Sequence, residues 1–287
     1  VILAAGKSSK FFPPLYDRPK GLFEYRGEVL IERQIRQLRK AGVDHITVVV
    51  GYEKEHFFYL REKFGVDLIV SVGWADEGSM ASLALSLDQL LHGGFLCCAD
   101  HWFEENPFVA FEPDGRSVRM VRHQENATRE FVVLESTDGR LSTMRNGAVS
   151  GLCMVGAAYL TPEFVSRIKR LWNVERSWIG IKGLFWEQFW GRHVRELSLY
   201  GAAAPTGYCE FDSLGDFGAD GVLYNMDRAV VGHICQLLSC EPGDILEVRP
   251  INAGLTNVSF SFVVHDKTFV YRHPGVSSSA LVDRNAE

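Results

Sequence analysis

Strand and helix alternate three times within the first 100 residues, and no other feature limits the fold as sharply. Residues 1–5 are an apolar run that ends at Gly6, and prolines at 13, 14 and 19 keep the chain extended or turning as far as Lys20. Leu30, Ile31, Ile35 and Leu38 recur at helical spacing, and Gly42 stops that helix. The β-branched run 45–50 ends at Gly51. Residues 53–64 then read as helix, 66–72 as strand, 79–91 as helix, and 94–99 as strand closing at Asp100. Such alternation predicts an α/β fold with a doubly wound, mostly parallel sheet.

Further along, residues 117–160 read as strands, with hairpin signals at Thr137-Asp138-Gly139 and Asn146-Gly147. Residues 162–171 look helical, the aromatic run 178–190 reads as loop and helix, and 208–211 as a short strand. A helix over 225–238 and a turn at Glu241-Pro242-Gly243-Asp244 follow, and from Ile245 the texture becomes strand, Gly-rich turn, strand. We place a domain boundary near residue 227, giving domains 1–226 and 227–287; the 61 residues of the second are few for an independent core.

Hydrophobic residues are 46% and charged residues 23% of the chain, which excludes disordered and collagen-like classes. The net charge of −6 offers no general field for nucleic acid, and no run approaches the roughly 20 apolar residues that span a bilayer. Six cysteines without paired spacing, and no secretory signal, suggest reduced thiols in a cytoplasmic protein. The nine histidines show no zinc-ligand spacing. Val1 already lies inside a strand pattern, so residues upstream of it are expected.

Open α/β sheets bind ligands beyond the carboxyl ends of their strands, and three features fall there. Leu3-Ala4-Ala5-Gly6 with its polar loop allows a close approach to backbone N–H groups, or is simply a tight turn. Asp100 is a candidate ligand or a turn cap. Glu210 and Asp212 share a strand face by period two, where they hold a cation or point to solvent.

The opening VILAAGKSSKFFPPLYDRPKG, with Pro19-Lys20 and the later Glu28-Val29-Leu30-Ile31-Glu32, resembles the N-terminal signature of nucleotidyltransferases that couple an NTP to a phosphorylated small molecule. Within that family the chain is most similar to the bacterial CTP:phosphocholine cytidylyltransferases. The matching segments are residues 74–83, Cys98-Ala99-Asp100-His101, Leu184-Phe185-Trp186-Glu187 and Tyr208-Cys209-Glu210-Phe211-Asp212-Ser213, in matching order over about residues 1–220. The resemblance implies a Rossmann-like nucleotidyltransferase fold and in-line attack of a phosphate oxygen on the α-phosphorus of CTP, with pyrophosphate leaving. It assigns base, ribose and phosphates to Leu3, Ala4, Ala5, Gly6, Lys7, Lys10, Ser79 and Ser82, and the phosphoryl centre to Lys20 and Asp100. Mg²⁺ falls to Asp100, Glu210 and Asp212, and the phosphocholine head to Phe185, Trp186 and Glu187. For several of these a plainer role stands beside the functional one: a solvated lysine for Lys20, a packing serine for Ser82, core packing for the aromatic stripe.

Lys10 replaces the usual loop Arg, Gly78 and Ser79 stand where choline-specific members have Asn, and Val155 where they often have Trp. Phosphoethanolamine, an aminoalkylphosphonate or a sugar 1-phosphate therefore stay open as acceptors. A non-catalytic CTP-sensing module is the alternative from another class. Residues 245–287, with NAGLTN at 252–257 and FVYRHPG at 269–275, resemble the opening of a choline/ethanolamine kinase, whose catalytic part would continue beyond this chain. The simpler reading of that segment is a β appendage.

Overall fold

The computed structural model describes residues 1–6, 18–112, 114–125, 131–143, 150–211, 228–251 and 257–274. They fall into two compact units: the first residues of the chain with Leu30–Glu210, and residues 18–29 with those described after Glu210.

The first unit is a nine-stranded sheet with flanking helices. Its parallel half runs β6 (Gly94–Cys98), β1 (Ile2–Ala4), β4 (Thr47–Val50), β5 (Asp67–Val70). Every residue of β4 is buried, as a strand covered on both faces must be, whereas β5 alternates as the edge. Beyond β6 the sheet turns antiparallel through the long β11 (Gly151–Leu160). β11 carries β9 (Val132–Glu135), β10 (Leu141–Thr143) and, on its other partner edge, β8 (Val118–Gln124) with β12 (Tyr200–Ala203) alongside. The hairpin expected at Thr137-Asp138-Gly139 joins β9 to β10; Asn146-Gly147 lies outside the described residues. A separate two-stranded ribbon pairs β7 (His101–Phe103) with β13 (Tyr208–Glu210). The α/β class read from the sequence is the observed one, with an antiparallel half added to the parallel core.

Helix α1 (Leu30–Lys40) buries Leu30, Ile31, Ile35 and Leu38, and Gly42 ends it at φ +81°, with the Val43 N–H returning to the Leu38 carbonyl. Two expected helices are interrupted. Residues 53–64 begin with Glu53 in the left-handed region and a 3₁₀ turn before α2 (Tyr59–Phe64). Residues 79–91 divide into α3 (Ser79–Leu85) and a 3₁₀ turn, because the Ser86 hydroxyl bonds back to the Leu83 carbonyl at 2.9 Å and competes with helix continuation. Helix α4 (Pro162–Glu175) is capped by the Thr161 side chain, and α5 (Trp186–Arg192) ends the aromatic run. Trp186, Phe189 and Trp190 enter the main core, with the Trp190 indole N–H donating to the Leu197 carbonyl at 2.8 Å. Core packing is thus what this part of the stripe does. All six cysteines are free thiols.

The second unit holds the hairpin β2 (Glu24–Tyr25) and β3 (Glu28–Val29), helix α6 (Arg228–Leu238) and a three-stranded antiparallel sheet. That sheet orders β14 (Leu246–Ile251), β15 (Asn257–Val264), β16 (Lys267–Pro274). No helix among the described residues is long and apolar enough to cross a membrane.

Candidate active site

Strands β1 and β6 end side by side: Leu3 pairs with Cys98, and the Ala99 N–H donates to the Leu3 carbonyl at 2.9 Å. The Leu3-Ala4-Ala5-Gly6 turn therefore emerges next to Asp100, as the strand-end argument requires. Leu3 and Ala5 are buried, Ala4 is half-buried, and Gly6 is exposed with open space where a Cβ would point. The close approach belongs instead to Gly51 at the end of β4, where a Cβ would stand 2.7 Å from the Ala5 carbonyl oxygen and 2.6 Å from the Trp74 Cβ. Next to it the Tyr52 N–H donates to Ala5 at 3.0 Å and its ring meets Trp74 edge-on at 5.3 Å.

The β6–β7 turn that carries Asp100 is held from α1. Gln34 is fully buried and donates to the Cys98 carbonyl at 2.8 Å and the His101 carbonyl at 2.9 Å. Gln37 and Arg33 both donate to the Phe103 carbonyl at 2.9 Å, and the Arg33 guanidinium lies 4.1 Å over the Trp102 ring. His101 Nε2 is 3.8 Å from Asp100 Oδ1, and ligand atoms of Cys98, Asp100 and His101 lie within 4.8 Å of one another. Burial pushes the Cys98 thiol well above its ordinary pKa, and the charges of Asp100, Glu187 and Glu210 push the same way, so it stays protonated. A protonated thiol is a poor partner for a hard cation. Asp100 supplies carboxylate oxygen, and Glu210 supplies another from the residue of β13 paired with His101. Carboxylate oxygen is the donor type that a cation of the Mg²⁺ kind takes, and in the cluster of Cys98, Asp100 and His101 only Asp100 supplies it, with Glu210 on the strand opposite His101.

Behind Glu210 the polar groups are ordered. The Tyr208 hydroxyl donates to Glu210 Oε2 at 2.9 Å and accepts the Gly156 N–H at 2.8 Å. Arg119, 4% exposed, donates to the Gly156 carbonyl at 2.6 Å and to Glu187 Oε1 at 3.2 Å, with its guanidinium 5.2 Å over the Trp186 ring. Burial raises the Glu187 pKa above its ordinary value, and Arg119 opposes that shift. Of the three residues expected at the acceptor head, Glu187 is half-buried and paired, Trp186 is 1% exposed, and Phe185 is 57% exposed at the start of α5.

Ser79 accepts the Trp186 N–H at 3.0 Å, and the Met80 N–H donates to the Leu184 carbonyl at 3.1 Å, so α3 and α5 start against each other. A Cβ on Gly78 would overlap the Leu184 carbonyl, so the close start of α3 against α5 requires glycine there. Ser82 is buried with its hydroxyl 3.3 Å from that of Ser71. Val155 is buried on β11. Lys20 opens a 3₁₀ turn in the second unit, while Lys7, Lys10 and Asp212 lie outside the described residues. Sequence reasoning missed Gln34, Arg119 and Gly156. Gln34 sits on the apolar face of α1, and Gly156 interrupts an apolar strand run, a pattern that signals a bulge.

The strand-end turn, the Asp100 turn and the paired ribbon lie at the carboxyl ends of the sheet strands, where α/β proteins of this kind bind ligands. Residues 1–112 match the model of the MobA-like NTP transferase domain. The 2-aminoethylphosphonate cytidylyltransferase of Lancefieldella rimae is 30% identical over 201 residues, covering 69% of this chain and 81% of that one. The choline-phosphate cytidylyltransferase of Streptococcus pneumoniae is 27% identical over 200 residues, covering 70% of this chain and 86% of that one. The solved CTP:phosphocholine cytidylyltransferase from Streptococcus pneumoniae superposes with a TM-score of 0.66 at 28% identity, covering 75% of this chain and 94% of its own. The chain belongs to the nucleotidyltransferase family.

Proposed function

We propose that this nucleotidyltransferase transfers CMP from CTP to phosphocholine, giving CDP-choline and pyrophosphate. An acceptor phosphate oxygen attacks the α-phosphorus in line, its P–O bond forms as the α–β P–O bond breaks, and pyrophosphate leaves with the electron pair. The reading rests on one observation: the Leu3–Ala5 turn and Asp100 emerge from adjacent parallel strands, with Glu210 paired across from His101. Backbone groups from Leu3 to Gly6 hold the nucleoside, and Lys7 and Lys10 meet the β- and γ-phosphates. Asp100, Glu210 and Asp212 are the carboxylates for Mg²⁺, which when bound offsets negative charge on the phosphates. Lys20 is assigned to the phosphoryl centre by the motif that contains it. Its charge would grow in value as negative charge gathers in the transition state. Phe185 and Glu187 face the acceptor, with Trp186 beneath them.

Residues 227–287 fit this reading as a segment resembling a choline/ethanolamine kinase, an activity whose product the transferase would consume. The sheet β14–β15–β16 supports a strand-rich opening of that kind. The reaction is tested by incubating the protein with CTP, Mg²⁺ and phosphocholine and measuring pyrophosphate against an Asp100→Ala control; equal release from both would refute it.

A second reading, in which the acceptor carries a primary ammonium, is favoured by Arg119. Its guanidinium already lies over the Trp186 face that a quaternary ammonium would use. A primary ammonium needs carboxylate oxygens rather than an aromatic face. Phosphoethanolamine and 2-aminoethylphosphonate are the acceptors of that type. Their kcat/KM relative to phosphocholine decides between the two readings.

A further inference from the structure

The long strand β11 breaks its register between Met154 and Ala158, and Gly156 sits in that bulge at φ +58°. A side chain there would be strained by the left-handed backbone, and its Cβ would stand 2.8 Å from the Met120 sulfur. The bulge turns both backbone polar groups of Gly156 towards side chains. Its N–H goes to the Tyr208 hydroxyl at 2.8 Å, and its carbonyl accepts from Arg119 at 2.6 Å.

Because the Tyr208 oxygen already accepts this N–H, its single hydrogen is directed at Glu210 Oε2, 2.9 Å away. Tyr208 is itself pinned: Arg122 donates to its carbonyl at 3.1 Å and lies 5.2 Å over its ring. Across the ring, His101 and Phe103 pack at 5.7 and 5.3 Å. On the other side Arg119 passes from the Gly156 carbonyl to Glu187, 3.2 Å away. Two carboxylates, Glu187 and Glu210, are thereby tied to the same glycine, through hydrogen bonds to charged groups, which are the stronger kind.

We propose that Tyr208, anchored by the Gly156 bulge, is a positioning residue that fixes the rotamer of Glu210 for a divalent cation. Arg119 ties the carbonyl of the same glycine to Glu187. This rests on the reading of Glu210 as a cation ligand and goes beyond it by naming what holds that ligand in place. Holding one carboxylate oxygen leaves the other aimed, and a carboxylate released from its support samples several rotamers and binds a cation more weakly.

The test is Mn²⁺ binding to the full chain, followed by electron paramagnetic resonance of the free ion, without CTP or acceptor, so that it does not depend on turnover. Tyr208→Phe is expected to weaken Mn²⁺ binding about 10-fold. Glu210→Gln is expected to weaken it at least as much. The double variant Tyr208→Phe/Glu210→Gln is expected to match Glu210→Gln alone, because Tyr208 acts through Glu210. A merely structural tyrosine would instead add its loss to that of Glu210→Gln. Additive losses, Mn²⁺ binding by Tyr208→Phe within twofold of wild type, or a wild type that binds no Mn²⁺ would each overturn the proposal. Failure of the cytidylyl-transfer reading would show separately, as absence of pyrophosphate release.

Discussion

Gln34 holds the turn of Asp100 from both sides, donating its two amide hydrogens to the carbonyls of Cys98 and His101 at 2.8 and 2.9 Å. A buried primary amide on α1 thus sets the path of the loop on which a candidate cation ligand sits. Gln34→Leu keeps the volume and removes both donors. Unpaired buried polar groups cost about 1–3 kcal/mol, and the expected loss in urea denaturation is of that size. Turnover should fall with it, since Asp100 is no longer held; a variant of wild-type stability and rate would remove this role.

Asp100→Asn keeps the shape of the side chain and deletes its charge. Turnover should fall by about 10²–10³, because losing charge stabilisation at a reacting centre costs on this scale. The melting temperature should stay close to that of the wild type, and Mn²⁺ binding should weaken. Rates within tenfold of wild type would mean that Asp100 is a turn cap.

Gly78 stands at φ −74°, a conformation open to any residue, so its constraint is space alone. A Cβ would press on the Leu184 carbonyl and part α3 from α5, where the Met80–Leu184 and Trp186–Ser79 hydrogen bonds join them. Overpacking of this kind typically costs about 1–3 kcal/mol. Gly78→Ala should lose that much stability in denaturant titration, and Gly78→Asn at least as much.

The parts of the fold that read clearly in the sequence were those set by local pattern. The apolar spacing of Leu30, Ile31, Ile35 and Leu38 predicted α1, and the run at 45–50 predicted a strand buried on both faces. Helix interruptions at Glu53 and Ser86 were hidden, because a left-handed residue and a hydroxyl back-bond change the backbone without disturbing the hydrophobic period. The antiparallel half was only partly visible, since pairing partners such as β6 and β11 are separated by many residues. Around the candidate site, strand-end logic anticipated that Leu3–Ala5 and Asp100 lie at strand ends, which the fold makes adjacent, with Glu210 on the ribbon beside them. It missed Gln34 and Arg119, whose partners are backbone carbonyls and a carboxylate brought together only by the folded sheet.

Glu32 offers a pH-dependent check on how α1 is fastened to α2. Burial pushes its pKa up, but hydrogen bonds from Lys63 at 2.8 Å, Tyr59 at 2.9 Å and Arg36 at 3.3 Å outweigh this and hold it below the ordinary value. A carboxyl whose folded pKa is depressed adds stability above its unfolded pKa and loses it as pH falls through the folded one. Glu32→Gln should therefore cost about 1 kcal/mol at pH 7. The gap from wild type should close as pH drops below 4, as followed by denaturation at several pH values.

The most direct measurement is pyrophosphate release from CTP and Mg²⁺ with phosphocholine, phosphoethanolamine, 2-aminoethylphosphonate and glucose 1-phosphate as acceptors, for wild type, Lys20→Ala and Asp100→Ala. The account predicts turnover with an amine-bearing phosphate or phosphonate, phosphocholine leading, and its near-complete loss in both variants. Turnover only with the sugar phosphate, or rates unchanged by either substitution, would contradict it.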